Sequence, residues 1–379
     1  MPSATDNRLT LFLCGDVMTG RGIDQILPHP SEPSLIERYV TDAREYVQLA
    51  ETASGPIHQP VDFKYIWGDA LDEMHRADIR IINLETSLTT SNDAWPGKGI
   101  NYRMHPRNTG CLTAGRIDCC CLANNHVLDW GRLGLRETIS VLDAAVIAHA
   151  GAGCDRQSAM APAIFPAAGA GRVIVFSFAL SSGGVPQAWA ATSNREGIYL
   201  LPDLSCSSAE SLFQGLAPLK CPGDIAIASV HWGDNWGYDI PREQIDFAHR
   251  LVAAGFDVVH GHSSHHPKGI EVYQNRPILY GCGDFVNDYE GIQGYEEFYG
   301  EIRLAYLLRI ESSSGKLITL RIIPLRSRRL RLDRASVDEI NLTCEMLNRE
   351  GSRFGTRFTR TTDSTEDRKK GHYSLRLFP

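Results

Sequence analysis

The sequence lacks the marks of several protein classes. Its ten cysteines form no CxxC pair and follow no regular spacing. That excludes a zinc-ribbon framework and a small disulfide-stapled fold. Cys119, Cys120 and Cys121 are consecutive within an apolar, strand-like run. They read as small core residues of a protein kept in a reducing compartment. No apolar run approaches the roughly 20 residues of a membrane span. The polar start, MPSATDNRLT, has neither the basic segment nor the apolar stretch of a signal peptide. The expectation is a cytoplasmic protein with no membrane partner. Basic charge is also missing: 38 Lys and Arg stand against 45 Asp and Glu, a net −7, which excludes a general nucleic-acid binder. A local excess, 13 Lys and Arg against 8 Asp and Glu, lies in residues 326–379 and reads as a solvated surface tail. No internal repeat and no clear linker divides the chain.

What is present suits a soluble α/β protein. The chain has 379 residues, 43% of them hydrophobic, enough for a sizeable core. One unit recurs: an apolar strand, polar ligand-type residues at its C-terminal end, then a helix. Leu9 to Val17 ends in Asp16, with Arg21 following. ADIRIINLETSLTT carries Asn83 and Glu85. IDCCCLANNHVLDWG carries Asn124, Asn125, His126 and Asp129. DIAIASVHWGDNWG ends at His231, and FDVVHGHSSHHP places His260, His262, His265 and His266 around Gly261. PILYGCGDFVND then supplies Asp284, Asn287 and Asp288. If these strands lie side by side, their ends converge on one edge of a sheet. Carboxylate, amide and imidazole groups gathered there suit a divalent cation. Residues 28–66 read as a helical insertion over the site, with the apolar spacing of SLIERYVTDAREYVQLAE forming one helix face. EIRLAYLLRIES and LITLRIIPLR read as an antiparallel pair, and Ser336 to Glu350 as a helix before a polar stretch to Lys370. The expected organisation is one catalytic domain over 1–325 with a C-terminal helix and basic tail over 326–379.

Taken together, GDVMTGRG, NLETSLT, LANNHVLDWG, SVHWGDNW, HGHSSHHPKGIEVY and YGCGDFVND resemble the signatures of CapA-type proteins of poly-γ-glutamate capsule synthesis. These belong to the calcineurin-like metallophosphatase superfamily, and the resemblance runs from about Leu9 to Leu325. It implies an α/β sandwich of two sheets flanked by helices, with the site at the strand ends. Carried over motif by motif, it implies metal ligands at Asp16, Glu85, Asn125, His231 and His262. It implies a catalytic histidine at His126 and a second histidine of the last motif at His265.

The departures from the family pattern select among reactions. The superfamily's Asp-x-His motif reads Asp16-Val17-Met18 here, and a thioether is a poor ligand for hard or borderline ions. One ion, Ca²⁺, Mn²⁺ or Mg²⁺, is therefore expected rather than two. The first expectation is a peptide epimerase close to the branch that includes lasso-peptide epimerases, inverting a Cα centre by two-base chemistry. His126 with Asp129 forms one candidate pair, and His265 with Asp16 or Asp284 the other. Arg21 and Asp284 are expected to bind the substrate, a peptide. The alternatives are a dinuclear metallophosphoesterase and a poly-γ-glutamate biosynthesis protein.

Overall fold

The structure, a computed structural model, describes residues 8–167, 171–362, 365–369 and 371–378. Two sheets face each other with helices on their outer sides, the α/β sandwich expected. In the larger, the order is Arg357–Thr361, Ser374–Phe378, Leu317–Arg328, Ile302–Glu311, Arg8–Val17, Ile79–Leu84, Cys119–Cys121 and Ala148–Ala150. The last four of these run parallel. Asp284–Val286 adds to Arg8–Val17 beyond the point where Ile302–Glu311 leaves it. The second sheet runs Ile270–Tyr273, Arg276–Leu279, Val258–His262, Ile225–His231, Arg172–Ala179 and Ala163–Pro166. Its four central strands are parallel.

Strand alternation builds three cores from these sequences. Leu9, Leu11, Leu13, Ile79, Ile81, Cys119 and Cys121 meet Val173, Val175, Ile225, Ile227 and Val258 between the sheets. Phe12, Cys14, Ile82 and Cys120 turn outward under the helices of the larger sheet. Ile174, Phe176, Phe178, Val230 and Val259 do the same on the other side. Each such fully buried side chain contributes on the order of 1.5–3 kcal/mol.

The inward-facing ranks change from apolar to polar at their C-terminal ends. After Ile225 and Ile227 the same face presents Ser229 and His231. After Val258 it presents His260 and His262. Asp16 needs an additional device. In a regular strand, Leu13 and Gly15 would face inward and Asp16 outward. Instead Leu13 pairs with Ile81 and Asp16 with Asn83, so one strand advances three residues while its neighbour advances two. This bulge re-aims Asp16 into the space between the sheets. Only glycine fits at its apex, because a Cβ on Gly15 would lie 1.5 Å from the Gly283 carbonyl oxygen.

Some expectations are corrected. The site strands do not lie side by side in one sheet; they divide between two, and the site forms across the sandwich. Only Arg44–Ser54 of the 28–66 insertion is a helix of more than one turn. Asp42 accepts the Arg44 backbone N–H at 2.9 Å and starts the helix there, so Ile36 of the expected face is exposed. Tyr65–Trp67 forms a single turn and Ala70–Arg76 a helix, divided at Gly68 with φ 43°. The C-terminal region is more than a tail. The helix Val337–Gly351 begins in a capping box between Ser336 and Glu339. Ser374–Phe378 then joins the larger sheet beside Leu317–Arg328. The polar start, residues 1–7, and residues 363–364 and 370 of the polar C-terminal stretch lie outside the described residues. Among the described residues no helix is long and apolar enough to cross a membrane.

Candidate metal centre

Asp16, His231 and His262 are fully buried and present ligand atoms within 4.8 Å of one another. Glu85 joins them, its carboxylate 3.8 Å from His231 Nδ1. Hydrogen bonds behind the rings fix the tautomers. His231 Nε2–H donates to the Gly183 carbonyl at 3.1 Å, which leaves Nδ1 bare. His260 Nε2–H donates to the Cys14 carbonyl at 2.7 Å. Ser229 Oγ lies 3.1 Å from His260 Nδ1 and 3.0 Å from His262 Nε2. With a neutral His260, the serine hydroxyl donates to that ring and accepts from His262 Nε2–H. His262 Nδ1 is then bare as well.

Neutrality of His260 needs an argument. Burial opposes its charge, yet the neighbouring Cys282 and Cys121 push the imidazole up to about 10. They do so only as thiolates: burial drives the Cys282 thiol upward, whereas hydrogen bonding with Cys119, and then with His260, pulls the Cys121 thiol down to about 5. A buried thiolate–imidazolium pair must desolvate two ions where the neutral pair desolvates none. We therefore assign His260 as neutral.

The result is two bare Nδ1 atoms 2.9 Å apart. Two lone pairs at that distance repel unless a cation lies between them. Nitrogens bound at adjacent octahedral positions of one ion, about 2.1 Å from it, lie about 3 Å apart. The carboxylates make the same demand. Asp16 is pushed up to about 7 by burial and then by the charge of Asp284. Glu85 is pushed well above the carboxylate range by burial and then by Asp16. Asn83 holds the two apart, donating to Asp16 Oδ1 and to Glu85 Oε2, each at 2.8 Å. Asn124 Nδ2 in turn holds the Asn83 carbonyl at 2.9 Å. Asp16 Oδ2 and Asn125 Oδ1 are buried without a hydrogen-bond partner, acceptors left for a ligand. This oxygen-rich set with two imidazoles fits one divalent cation.

Two histidine–carboxylate pairs stand beside this cluster. His126 Nδ1 lies 2.7 Å from Asp129, and its Nε2 lies 3.8 Å from Glu85. Burial pushes the His126 imidazole down to about 4. Lys98 completes the group, 2.6 Å from Asp129 Oδ1 and 3.2 Å from His126 Nδ1. His265 Nδ1 lies 2.9 Å from Asp284, which also accepts Asn287 Nδ2–H at 2.6 Å. Burial disfavours charge on His265, but Asp284 outweighs it and raises the imidazole above its usual value. His265 and Asp284 open onto a cleft of about 810 Å³.

Arg21 borders that cleft without offering a free guanidinium. It pairs with Asp288 at 2.5 Å and Glu37 at 2.9 Å and stacks on Tyr46 at 3.9 Å. Met18, two residues after Asp16, is buried and receives the Tyr289 hydroxyl on its sulfur at 3.8 Å.

Lys98 was invisible in the sequence, since a lysine in the loop PGKG has no distinguishing signal. Ser229 carried one: it stands two residues before His231 on the same strand face. Asn83 stood at a strand end beside Glu85, but nothing in the sequence marked it as the residue that bridges both carboxylates.

A solved 5'-nucleotidase precursor from Thermus thermophilus aligns over 84% of this chain and 54% of its own, at TM-score 0.44 and 14% identity. The Bacillus anthracis capsule biosynthesis protein CapA is 24% identical over 84% of this chain and 68% of its own. A Mycobacterium tuberculosis protein named probable polyglutamine synthesis accessory protein is 48% identical over 94% of both chains. The profile of the bacterial capsule synthesis protein PGA_cap matches residues 10–289, which hold every residue of the cluster and both histidine pairs, and the chain belongs to that family.

Proposed function

We propose that this chain is a metal-dependent accessory enzyme in the synthesis of a glutamate- or glutamine-based polymer. The observation that carries the reading is the facing pair of bare imidazole nitrogens, His231 and His262, beside Asp16 and Glu85. The names of the relatives support the polymer. Asp16, Glu85, Asn125, His231 and His262 would hold one divalent ion, Mn²⁺, Mg²⁺ or Ca²⁺. Such an ion, when bound, stabilises negative charge developing on a carbonyl or carboxylate oxygen. His126 is aligned by Asp129 and Lys98 and presents Nε2 for proton transfer on the Glu85 side. His265 is aligned by Asp284 and presents Nε2 toward the cleft. Arg21 builds the cleft wall through Asp288 and Tyr46. The ten free cysteines, six of them buried, support a reducing, cytoplasmic setting.

A finer reading is inversion of a Cα centre in the peptide chain. It is supported by the two separate histidine–aspartate pairs, since inversion needs a base on one face and an acid on the other. Met18 in place of a histidine ligand speaks against two-ion phosphoester hydrolysis. The test is incubation of capped glutamyl and glutaminyl peptides with the protein and Mn²⁺ in D₂O. The expected result is metal-dependent conversion, with one deuteron at an inverted carbon, lost in His126→Ala and His265→Ala. Unchanged peptides together with rapid phosphoester hydrolysis would overturn the proposal.

A further inference from the structure

The large cleft carries a charge pattern that its proposed role leaves unexplained. Four carboxylates line it: Asp284, Glu296, Glu301 and Glu339. Arg21 is the one Lys or Arg in the lining among the described residues, and its donors are taken by Asp288 and Glu37. Asp284 is engaged by His265 and Asn287. Glu301 and Glu339 share Arg326, and Glu296 accepts the Gly294 backbone N–H at 3.0 Å. Four carboxylates against Arg21 give the lining a net −3 before His265 is counted, and −2 with that ring protonated. A polyanion entering here meets a net like charge, and the guanidinium of the lining is already paired.

The remaining lining is aromatic and apolar. Trp236 stacks on Tyr295 at 3.9 Å and stands 5.2 Å from His265, which forms a flat wall running toward the histidine. Ile292 and Tyr295 are each 46% exposed, more apolar surface than a closed core leaves. The helix Arg44–Ser54 and the 290s loop close together over one side, since a Cβ on Gly291 would come within 3.0 Å of the Leu49 carbonyl. An aromatic wall covers the aliphatic stem of a side chain, and carboxylates accept hydrogen bonds from an amide N–H₂. A carboxylate side group can donate nothing to them.

From this complementarity we infer that the cleft binds a peptide chain bearing uncharged carboxamide side groups, in preference to the same chain bearing free carboxylates. The inference rests on the reading of the site as one that acts on a glutamate- or glutamine-based chain. Specificity here comes as much from repulsion of the acid as from attraction of the amide.

Two soluble probes test it on the full chain by isothermal titration: a capped glutamine hexamer and a capped glutamate hexamer. The glutamine probe is expected to bind at least about tenfold more tightly at low salt, with the gap narrowing as salt screens the repulsion. Glu296→Lys, at an exposed rim position, is expected to raise affinity for the glutamate probe about threefold or more and so to narrow the gap between the two probes. Equal or tighter binding of the glutamate probe overturns the inference alone. Binding of neither probe overturns it together with the polymer reading.

Discussion

Replacing Asp16 by Asn should stabilise the metal-free protein and abolish its response to metal. The carboxyl is buried between the sheets and is pushed up to about 7 from an ordinary 3.8 by burial and by Asp284. A raised carboxylate contributes stability below its unfolded value of about 3.8 and loses it as pH rises through about 7. At pH 8 the chelated wild-type protein therefore carries the whole penalty. Three units correspond to about 4 kcal/mol, an upper limit because Glu85 shares the same proton. With an unfolding entropy of about 0.8 kcal/mol/K for 379 residues, that is a rise of roughly 5 °C in Tm. The asparagine can keep the bond from Asn83, and a neutral amide there removes the repulsion with Asp284 and Glu85. The assay is thermal unfolding of both chelated proteins at pH 8 and pH 4, then with Mn²⁺ added at pH 8. The variant should melt higher at pH 8, the gap should close at pH 4, and Mn²⁺ should raise only the wild type. A lower Tm for the chelated variant at pH 8, or a full Mn²⁺ response in it, would refute the reasoning.

Other consequences follow from named contacts. Gly15→Ala places a methyl 1.5 Å from the Gly283 oxygen and should cost more than about 4 kcal/mol; Gly99→Ala, in open space, is the control, and urea unfolding of both reads the difference. His126→Ala and His265→Ala should keep bound metal by elemental analysis, because neither ring belongs to the Asp16–His231–His262 cluster. Loss of metal from either would move that histidine into the ligand set. Thiol titration of the unfolded, non-reduced protein should find all ten cysteines free, and several protected thiols would contradict the absence of disulfides.

The parallel strands and most helices were legible because burial on both faces leaves unbroken apolar runs, as in Ile225–His231 and Arg172–Ala179. The partition of those strands between two sheets was not, since a run buried on both faces does not name its neighbours. The residues of the centre were legible as polar groups at strand ends. Their convergence depends on a bulge at Gly15, and an extra residue in a strand leaves no mark in a hydrophobic pattern. The pairing of His126 with Asp129 followed from their spacing of three. Arg21 misled for the opposite reason. It reads as an anion-binding side chain, but Asp288, 267 positions away in the chain, already fills that role. The 28–66 insertion showed helical spacing over its first half, and there the side chain of Asp42 capped the backbone and won.

The central claim is that Asp16, Glu85, His231 and His262 form one cation site, and elemental analysis of the purified protein after Mn²⁺ loading and dialysis tests it most directly. The account predicts one ion per wild-type chain and almost none in Glu85→Ala or His262→Ala, with both variants folded by circular dichroism. Two ions per wild-type chain, or full occupancy in either variant, would contradict it.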